Sequence, residues 1–366
     1  MLSGGVLFVV IIASTVVVYI RHRDAAGTCS GVTCTSVAST PPTTSLGSSI
    51  VTSSPPPTPT PTPLTASKLN GAEVPVGTEA LHPLAVMIEN HPDARPQSGL
   101  ASADLVYEAI AEGGITRFMA VFGNPQNAVR VGPIRSARTY FVDFATELNA
   151  FYAHVGGNAD ALDQIKATNV FDLDEFAVGS PTYQRDFSRN VATEHTMYSS
   201  TDKLWNVATQ TRKWSQSADY QSWNFADDTA PSLRPPSEKP VTINFSNSSY
   251  QVIWNYDPTT NSYSRNLAGK PHIDANTNTQ ITAKDIVIET VQHKPTVTRS
   301  GEQGWIDTLT GTGSGVIIHD GTATAITWKK TGTERTRYYT SDGKEVTFTR
   351  GAIWVEITHP ETSVSY

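Results

Sequence analysis

The stretch VRVGPIRSARTYFVDF, residues 129–144, determines the fold expected for the first half of the folded chain. Gly132 and Pro133 interrupt the chain there, and Ser136 is the predicted N-cap of a helix. The apolar residues that follow recur at steps of four, three, four and three: Ala137, Phe141, Phe144, Leu148 and Phe151. This spacing places them on one face and predicts an amphipathic helix.

The same stretch contains three arginines, Arg130, Arg135 and Arg138, in a chain whose net charge is −7. A helix N-terminus has partial positive charge, so a cation there is unfavourable by roughly 0.3 to 1 kcal/mol. We therefore expect an anion beside Arg135 and Arg138. The sequence leaves two sources open, which are Asp or Glu side chains of the same chain and an external phosphate or carboxylate ligand.

Segments around this helix alternate between strand-like and helix-like patterns. The predicted strands are 84–89 (LAVMIE), 115–122 (ITRFMAVF) and 151–155 (FYAHV). Asn158 and Thr201 are predicted N-caps of two further helices. Residues 104–112 (DLVYEAIAE) fit neither the helix period nor the strand period. This alternation predicts an α/β (or α+β) N-terminal domain over residues 73–228.

A cluster of prolines within residues 228–240 marks the predicted end of that domain. Beyond it, β-branched runs at 285–291 and 315–319 and the turn signals Asp320-Gly321 and Asp342-Gly343 predict a smaller, mostly antiparallel β domain over residues 241–366. Its aromatic residues are predicted to pack a small core rather than to bind carbohydrate: Trp328, Tyr338, Tyr339, Phe348 and Trp354.

The N-terminal region indicates the location of the protein. Residues 1–20 have no charged side chain and are long enough, at roughly 30 Å, to cross a bilayer as a transmembrane helix. Residues 21–72 are rich in Ser, Thr and Pro and are predicted to be a disordered tether. Together they predict a single-pass protein of the cell membrane with its folded domains on the extracytoplasmic side. Arg21 and Arg23 favour the opposite orientation, and a cleaved signal peptide is the alternative for residues 1–20.

Composition and missing motifs exclude several classes of function. The two cysteines, Cys29 and Cys34, lie in the tether, so the folded part has no disulfide framework and no cysteine-based metal site or nucleophile. The acidic balance disfavours nucleic acid as a partner. The sequence lacks HExxH, GxSxG, P-loop and GxGxxG signatures. No metal site is predicted from the sequence, and a cofactor is left open.

Six residues form the predicted ligand-binding site: Arg117, Arg135, Arg138, His154, Asp104 and Glu108. They lie at predicted strand ends and turns, where sites usually form. The predicted function is binding of an anionic ligand or partner of the cell envelope through this arginine-rich site, and the candidates are a cell-wall polymer, a phosphate-bearing molecule and a protein partner. The alternatives for single residues are structural, with Arg117 in an internal salt bridge to Glu108 or Glu112 and His154 as a buried, hydrogen-bonded histidine. Whether the protein is an enzyme stays open, with Asp104, Glu108 and His154 as the candidates for a base or metal ligand.

Long motifs of the folded region resemble the YerB-like lipoprotein family, a family of bacterial envelope proteins with a domain of unknown function. They are PLAVMIENHPDARPQSGLASADLVYEAIAEGGITRFMAVF (83–122), VGPIRSARTYF (131–141) and HVGG (154–157), with a WKK strand (328–330), a DGK turn (342–344) and a late Gly-x-x-Trp (351–354). The chain differs from the family pattern in having an apolar N-terminal segment instead of a lipidated cysteine, and EHTMYSS (194–200) instead of a Pro-His-Asn form around His195. The resemblance implies an envelope location and no established reaction.

The order of motifs is also similar to that of the LytR-CpsA-Psr phosphotransferases, in which arginines bind a lipid-linked pyrophosphate and an Asp helps to hold magnesium. Arg135 matches the arginine of their SIPRD-like motif, but Ser136 stands where that family has Asp, and Asp104 or Arg117 matches the earlier motif. This resemblance implies the alternative function, a phosphotransferase-like enzyme acting on lipid-linked cell-wall polymers.

Overall fold

A ten-stranded sheet runs through the computed structural model, which describes residues 62–124, 127–236, 239–299, 301 and 303–366. These residues belong to one compact unit, Thr60–Tyr366. The predicted transmembrane helix at 1–20 and most of the predicted tether lie outside the described residues. Within the described ranges, no helix is long and apolar enough to span a bilayer.

Within its described residues, the first half of the chain supplies four α-helices and ten strands. The helices are α1 Thr139–Glu147, α2 Ala159–Thr168, α3 Glu175–Val178 and α4 Thr201–Asn206, which continues into a π-helical turn at Val207–Thr211. The strands are β1 Leu64–Ala66, β2 Glu73–Pro75, β3 Leu84–Glu89, β4 Leu105–Ile110, β5 Thr116–Phe122, β6 Phe151–His154, β7 Phe171–Asp174, β8 Gln184–Arg185, β9 Met197–Tyr198 and β10 Asn224–Ala226.

The second half consists almost entirely of strands. They are β11 Val241–Asn244, β12 Gln251–Asp257, β13 Ser262–Leu267, β14 Lys270–Pro271, β15 Thr282–Ala283, β16 Asp285–Thr290, β17 His293–Val297, β18 Gln303–Asp307, β19 Gly311–His319, β20 Thr322–Lys330, β21 Arg337–Thr340, β22 Thr347–Thr349, β23 Ile353–Thr358 and β24 Ser363–Ser365. The described part of the protein is therefore rich in strands and has few helices, so the predicted order of an α/β (or α+β) part and a β part is correct in outline, with less helix than an α/β domain usually has.

The large sheet joins the two halves of the chain. Its strand order is β21-β20-β19-β16-β23-β4-β5-β3-β6-β7, so strands of the second half continue directly into strands of the first. The junction is the parallel pair β23 and β4, in register from Ile353 opposite Leu105 to Glu356 opposite Glu108. Every residue of both strands is buried. A strand covered on both faces does not alternate between apolar and polar residues, which explains why residues 104–112 fit neither period.

Both faces of this sheet are covered, which gives three layers. On one face, Phe141 and Phe144 of α1 join a core with Tyr107 of β4. On the other face lies a second sheet of order β14-β13-β12-β11-β24, with β15 beside β13. Its Trp254 packs edge-on against Trp354, with ring centroids 5.3 Å apart. Layers of this kind bury the apolar faces of sheets and helices together.

The predicted burial of the aromatic residues is confirmed for four of the five, but the prediction that they pack a separate small core is wrong. Trp328, Tyr338, Phe348 and Trp354 are buried, while Tyr339 is half-buried. They do not form a separate core, because the strand of Trp354 pairs with β4 and Trp328 shares its core layer with residues of α1.

Two predicted helix starts are wrong by one or two residues. Arg138, not Ser136, occupies the N-cap position of α1, without a side-chain cap. Residues before it are extended, because the Arg135 amide donates to the Met87 carbonyl and Ala137 bridges to Gly157. At α4 the N-cap is Ser200, since the Thr201 hydroxyl is bonded to the backbone of Ala128. Tertiary hydrogen bonds therefore decide both boundaries.

The predicted Asn158 cap of α2 is confirmed, and it gives a stability prediction. Asn158 Oδ1 accepts a hydrogen bond from the Ala161 amide at 2.9 Å. We expect Asn158→Ala to lower the free energy of unfolding by about 1 kcal/mol, because a first-turn amide loses its partner. Asn158→Ser is the control and should stay close to the parent. Urea denaturation measures both, and equal losses for the two variants would contradict the capping role.

Candidate functional site

An open cleft of about 510 Å³ brings together three of the predicted site residues, Arg117, Arg135 and Arg138. The other charged and titratable residues that line it are Glu89, His91, Asp93, Glu112, Glu194 and His195. The cleft therefore combines three guanidinium groups with four carboxylates and two imidazoles.

Strand register and the turn before α1 place the arginines. Arg117 on β5 lies directly opposite Glu89 at the end of β3 in the antiparallel pairing, so both side chains point to the same face. Arg135 lies in the extended segment that bonds to Met87 of β3, and Arg138 follows at the start of α1. Three elements that are separate in sequence thus meet at the end of one strand pair.

Carboxylates of the same chain neutralise two of the arginines. Arg135 Nε donates to Glu89 Oε2 at 2.5 Å. Arg138 binds Glu112 through two nitrogens, Nε and Nη2, the second at 2.7 Å. Of the two anion sources left open by the sequence, the internal one therefore serves Arg135 and Arg138. Burial opposes ionisation of Glu89, but the charges of Arg117 and Arg135 outweigh it and hold the pKa of this carboxyl below its usual value.

Arg117 differs from its two neighbours. Its side chain is buried, with 4% of the residue exposed, and Nη1 donates to the Ser136 carbonyl at 2.8 Å. Nε has no hydrogen-bond partner among the described residues. The predicted salt bridge to Glu108 or Glu112 does not form, because Glu108 binds Arg265 and Glu112 binds Arg138. Burial, and then repulsion from Arg138, lower the pKa of this guanidinium, which indicates that its charge is incompletely compensated.

Two histidines and an aspartate line the cleft beside Glu89, and sequence reasoning did not select them as a site. The rings of His91 and His195 are stacked, with centroids 4.8 Å apart and an angle of 8° between their planes. Asp93 Oδ2 lies 3.7 Å from His91 Nδ1. Burial lowers the pKa of His195, which favours its neutral form. The available signal was the pair His91 and Asp93 two residues apart just after the end of β3, a usual place for functional side chains.

The remaining three predicted residues lie outside this cleft. Asp104 accepts hydrogen bonds from the Gly123 amide at 2.7 Å and from the side-chain amides of Asn70 and Asn127 at 2.8 and 3.0 Å. Burial raises the pKa of this carboxyl to about 6. These bonds join the start of β4 to the end of β5.

Glu108 and His154 are also buried in networks of their own. Glu108 forms an ion pair with Arg265 of β13 and accepts a hydrogen bond from Thr116 Oγ1 at 2.6 Å. His154 Nε2 lies 3.0 Å from Asp172 Oδ1, and Nδ1 lies 2.8 Å from the Gly156 carbonyl. His154 therefore matches the structural alternative, a buried and hydrogen-bonded histidine.

Comparisons with known proteins agree on one family. Residues 69–215 match the family model described as "Protein of unknown function (DUF3048) N-terminal domain". Residues 241–355 match the model described as "Protein of unknown function (DUF3048) C-terminal domain". A protein of Bacillus subtilis (strain 168) named "Putative lipoprotein YerB" is 31% identical over 313 residues, which cover 81% of this chain and 88% of that protein. The similarity to LytR-CpsA-Psr phosphotransferases is not shown by these comparisons.

A solved structure supports the same assignment. The crystal structure of the YerB protein from Bacillus subtilis matches with a TM-score of 0.71 and 27% identity, over 82% of this chain and 99% of that one. The two family models cover more than half of the chain, in the order expected from the motifs. This chain therefore belongs to the DUF3048 family, which pairs an N-terminal and a C-terminal domain of unknown function and has a YerB lipoprotein of Bacillus subtilis as a relative.

Proposed function

We propose that this protein is a membrane-anchored, extracytoplasmic protein of the cell envelope that binds an anionic ligand in the arginine cleft. The location is supported by the name of the relative, a lipoprotein, and by the uncharged residues 1–20 followed by a Ser/Thr/Pro-rich stretch. A domain tethered in this way meets ligands within reach of the membrane surface.

The observation that carries the ligand proposal is the unsaturated guanidinium of Arg117. A buried cation without an ion-pair partner is unfavourable, because burial removes its hydration. Arg117 has five N–H donors and makes one hydrogen bond among the described residues. An oxyanion in the cleft would accept from the free donors and offset the buried charge.

The neighbouring ion pairs define the kind of ligand. Glu89 and Glu112 already pair with Arg135 and Arg138, so Arg117 is the one of the three guanidinium groups that has no carboxylate at ion-pair distance among the described residues. A small anionic group can balance this one guanidinium, whereas the four carboxylates that line the cleft would repel a densely charged anionic polymer. A volume of about 510 Å³ suits a small ligand or the head group of a larger one. The ligand is thus a phosphate- or carboxylate-bearing group of an envelope molecule, such as a terminal group of a cell-wall polymer.

Arg117→Gln tests this proposal. We expect the variant to bind pyrophosphate about 10–100-fold more weakly than the parent, because a hydrogen bond to a charged group contributes about 1.5–3 kcal/mol. Isothermal titration of the purified chain in EDTA, with pyrophosphate and with succinate, measures the affinity for each anion. Arg212→Gln, at an exposed arginine, is the control and should bind as the parent does.

Because Arg117 is buried, its replacement could also unfold the protein. Thermal unfolding of each variant, measured beside the titrations, shows whether it is folded. Arg117→Lys provides a second variant, which keeps the charge but loses the planar fork and should bind with intermediate affinity. Absence of binding to either anion by the parent would overturn the proposal. Equal affinities of the parent and both Arg117 variants would overturn it as well.

A further inference from the structure

Three side chains on one wall of the cleft carry the donor atoms that metal ions bind. His91, Asp93 and His195 each offer one such atom, and these atoms lie within 4.8 Å of one another. His91 and Asp93 follow β3, while His195 ends a short helical turn, Thr193–His195, about a hundred positions later in the chain. The fold therefore assembles this group from two distant segments.

The chemistry of the three donors selects a class of ion. Two imidazole nitrogens and one carboxylate oxygen suit Zn²⁺ and other divalent first-row transition ions, whereas Mg²⁺ and Ca²⁺ prefer oxygen ligands alone. Ligand bonds of about 2.0–2.2 Å in a tetrahedral site place the donor atoms about 3.4 Å apart. His91 Nδ1 lies 3.7 Å from Asp93 Oδ2 and accepts a hydrogen bond from the Asp93 amide at 3.3 Å, a bond that a metal ion at this nitrogen would replace.

A second, independent observation is the state of His195. The residue is 6% exposed, and its Nδ1 is buried without a hydrogen-bond partner among the described residues. Buried polar atoms are nearly always hydrogen-bonded, and an unpartnered one needs an explanation such as a ligand or ion. A metal ion bound at Nδ1 would satisfy this atom.

Hydrogen bonds to Glu89 hold the backbone of this group in place, while the side chains of His91 and Asp93 are free to adjust. Glu89 Oε1 accepts from the amides of Asn90 and His91 at 3.0 and 3.1 Å, and Glu89 Oε2 lies 3.8 Å from His195 Nδ1. This carboxylate therefore holds the His91 backbone beside His195. The side chains of His91 and Asp93 are 35% and 62% exposed. Because the histidine rings are stacked, metal binding requires the His91 ring to turn, and its exposure leaves room for that rotation.

We propose that His91, Asp93 and His195 form a binding site for a divalent transition-metal ion, with Zn²⁺ as the best-fitting ion, on the same cleft wall as Glu89. Three protein ligands leave a coordination position open toward the cleft. The metal site does not depend on the anion proposal, because its ligands include none of the arginines.

Another group of similar composition, His293, His359 and Glu361, provides an internal reference. The Nε2 atom of each ring already has a close carboxylate partner, whereas His293 Nδ1, like His195 Nδ1, is buried without a hydrogen-bond partner among the described residues. His359 Nε2 lies 3.0 Å from Asp307 Oδ1, and His293 Nε2 lies 3.2 Å from Glu361 Oε1. This group does not line the arginine cleft. Variants of this second group therefore control for zinc bound elsewhere on the chain.

The test compares zinc stoichiometry and affinity in matched double variants of the full-length chain. Each protein is stripped with EDTA, loaded with Zn²⁺, desalted and assayed by elemental analysis, and its affinity is measured by competition with a chromophoric chelator. We expect the variant His91→Asn with His195→Asn to lose one equivalent of zinc that the parent binds. The control, His293→Asn with His359→Asn, should keep that equivalent.

The single variant Asp93→Asn tests the site without disturbing the fold, because the Asp93 side chain is exposed. It should weaken zinc binding by more than the 10–100-fold typical of losing a supporting group. The proposal is overturned if the parent binds no zinc, or if the cleft variants retain the zinc stoichiometry and affinity of the parent. The pyrophosphate titrations are carried out in EDTA, so failure of the metal site leaves their outcome unchanged.

Discussion

Arg265→Ala is expected to lower the free energy of unfolding by about 3–5 kcal/mol, the usual effect of leaving one member of a buried ion pair without its partner. Arg265 on β13 and Glu108 on β4 are both fully buried and form an ion pair between the second sheet and the large sheet. Arg265 Nη1 also lies 2.6 Å from His272 Nδ1. Without the guanidinium, the Glu108 carboxylate keeps only neutral hydrogen-bond donors.

A neighbouring carboxyl increases the expected loss. Glu356 lies opposite Glu108 in the β23–β4 pair, and burial, then repulsion from Glu108, raise its pKa well above the usual value. Ionisation of Glu356 is therefore disfavoured in the folded protein, and Arg265 is the cation that pairs with Glu108 beside it. Removing Arg265 takes away the positive charge that offsets the repulsion between these two carboxyl groups.

Urea denaturation at pH 7 measures this effect, with Lys344→Ala as the control. Lys344 pairs with Asp342 on the surface, where both side chains are more than half exposed, so its loss should change stability by less than about 1 kcal/mol. A paired replacement, Glu108→Gln with Arg265→Met, should lose less than Arg265→Ala because it leaves no isolated charge. Similar results for Arg265→Ala and Lys344→Ala would refute a structural role for the pair.

Stability is expected to fall with rising pH because of Glu289, and Glu289→Gln should remove that part of the fall. Glu289 on β16 is 1% exposed, and Tyr338 donates a hydrogen bond to its Oε2 at 2.8 Å. Burial raises the pKa of this carboxyl from 4.5 to about 7. The folded state thus favours the protonated form.

The sign follows from the two pKa values. The contribution of protonated Glu289 is fully present below the unfolded pKa of 4.5 and is lost as pH rises toward the folded pKa of about 7. A shift of this size corresponds to about 3 kcal/mol. The parent should therefore lose about that much stability relative to Glu289→Gln between pH 4.5 and pH 8. Asp104, whose pKa is also raised, is present in both proteins, so its contribution cancels in the difference.

Urea denaturation of both proteins at several pH values in this range measures the difference. The two curves should converge at low pH and separate as the pH rises. Parallel curves would show that Glu289 is ionised in the folded protein or that its environment admits water.

Elements with a clear local pattern of apolar residues were predictable from the sequence, and elements defined by long-range contacts were not. Helix α1 and strands β3, β5 and β6 follow their apolar patterns closely. Strand β4 is buried throughout, as β3, β5 and β6 are, but its apolar pattern is interrupted by Glu108, whose partner Arg265 lies 157 positions away. The start of α1 was misplaced because hydrogen bonds to Met87 extend the chain where local signals favour a helix.

The candidate site was predictable only in part for a similar reason. Charge and position identified Arg117, Arg135 and Arg138, which the fold brings into one cleft. The choice of Glu112 as the partner of Arg138, and of Arg265 as the partner of Glu108, depends on tertiary distances across 26 and 157 positions. No local pattern connects His195 with His91. A single sequence carries no signal for such pairings.

Because β23 pairs in parallel with β4, the two family domains depend on each other and should occur together in one protein. Separating the segments at residues 228–240 would expose the backbone of β4 along one edge and remove Arg265 from Glu108 at the same time. Neither part would then be a self-sufficient module for gene fusion or domain shuffling. The proline-rich connection joins two pieces that depend on each other, and a backbone break there would leave them associated.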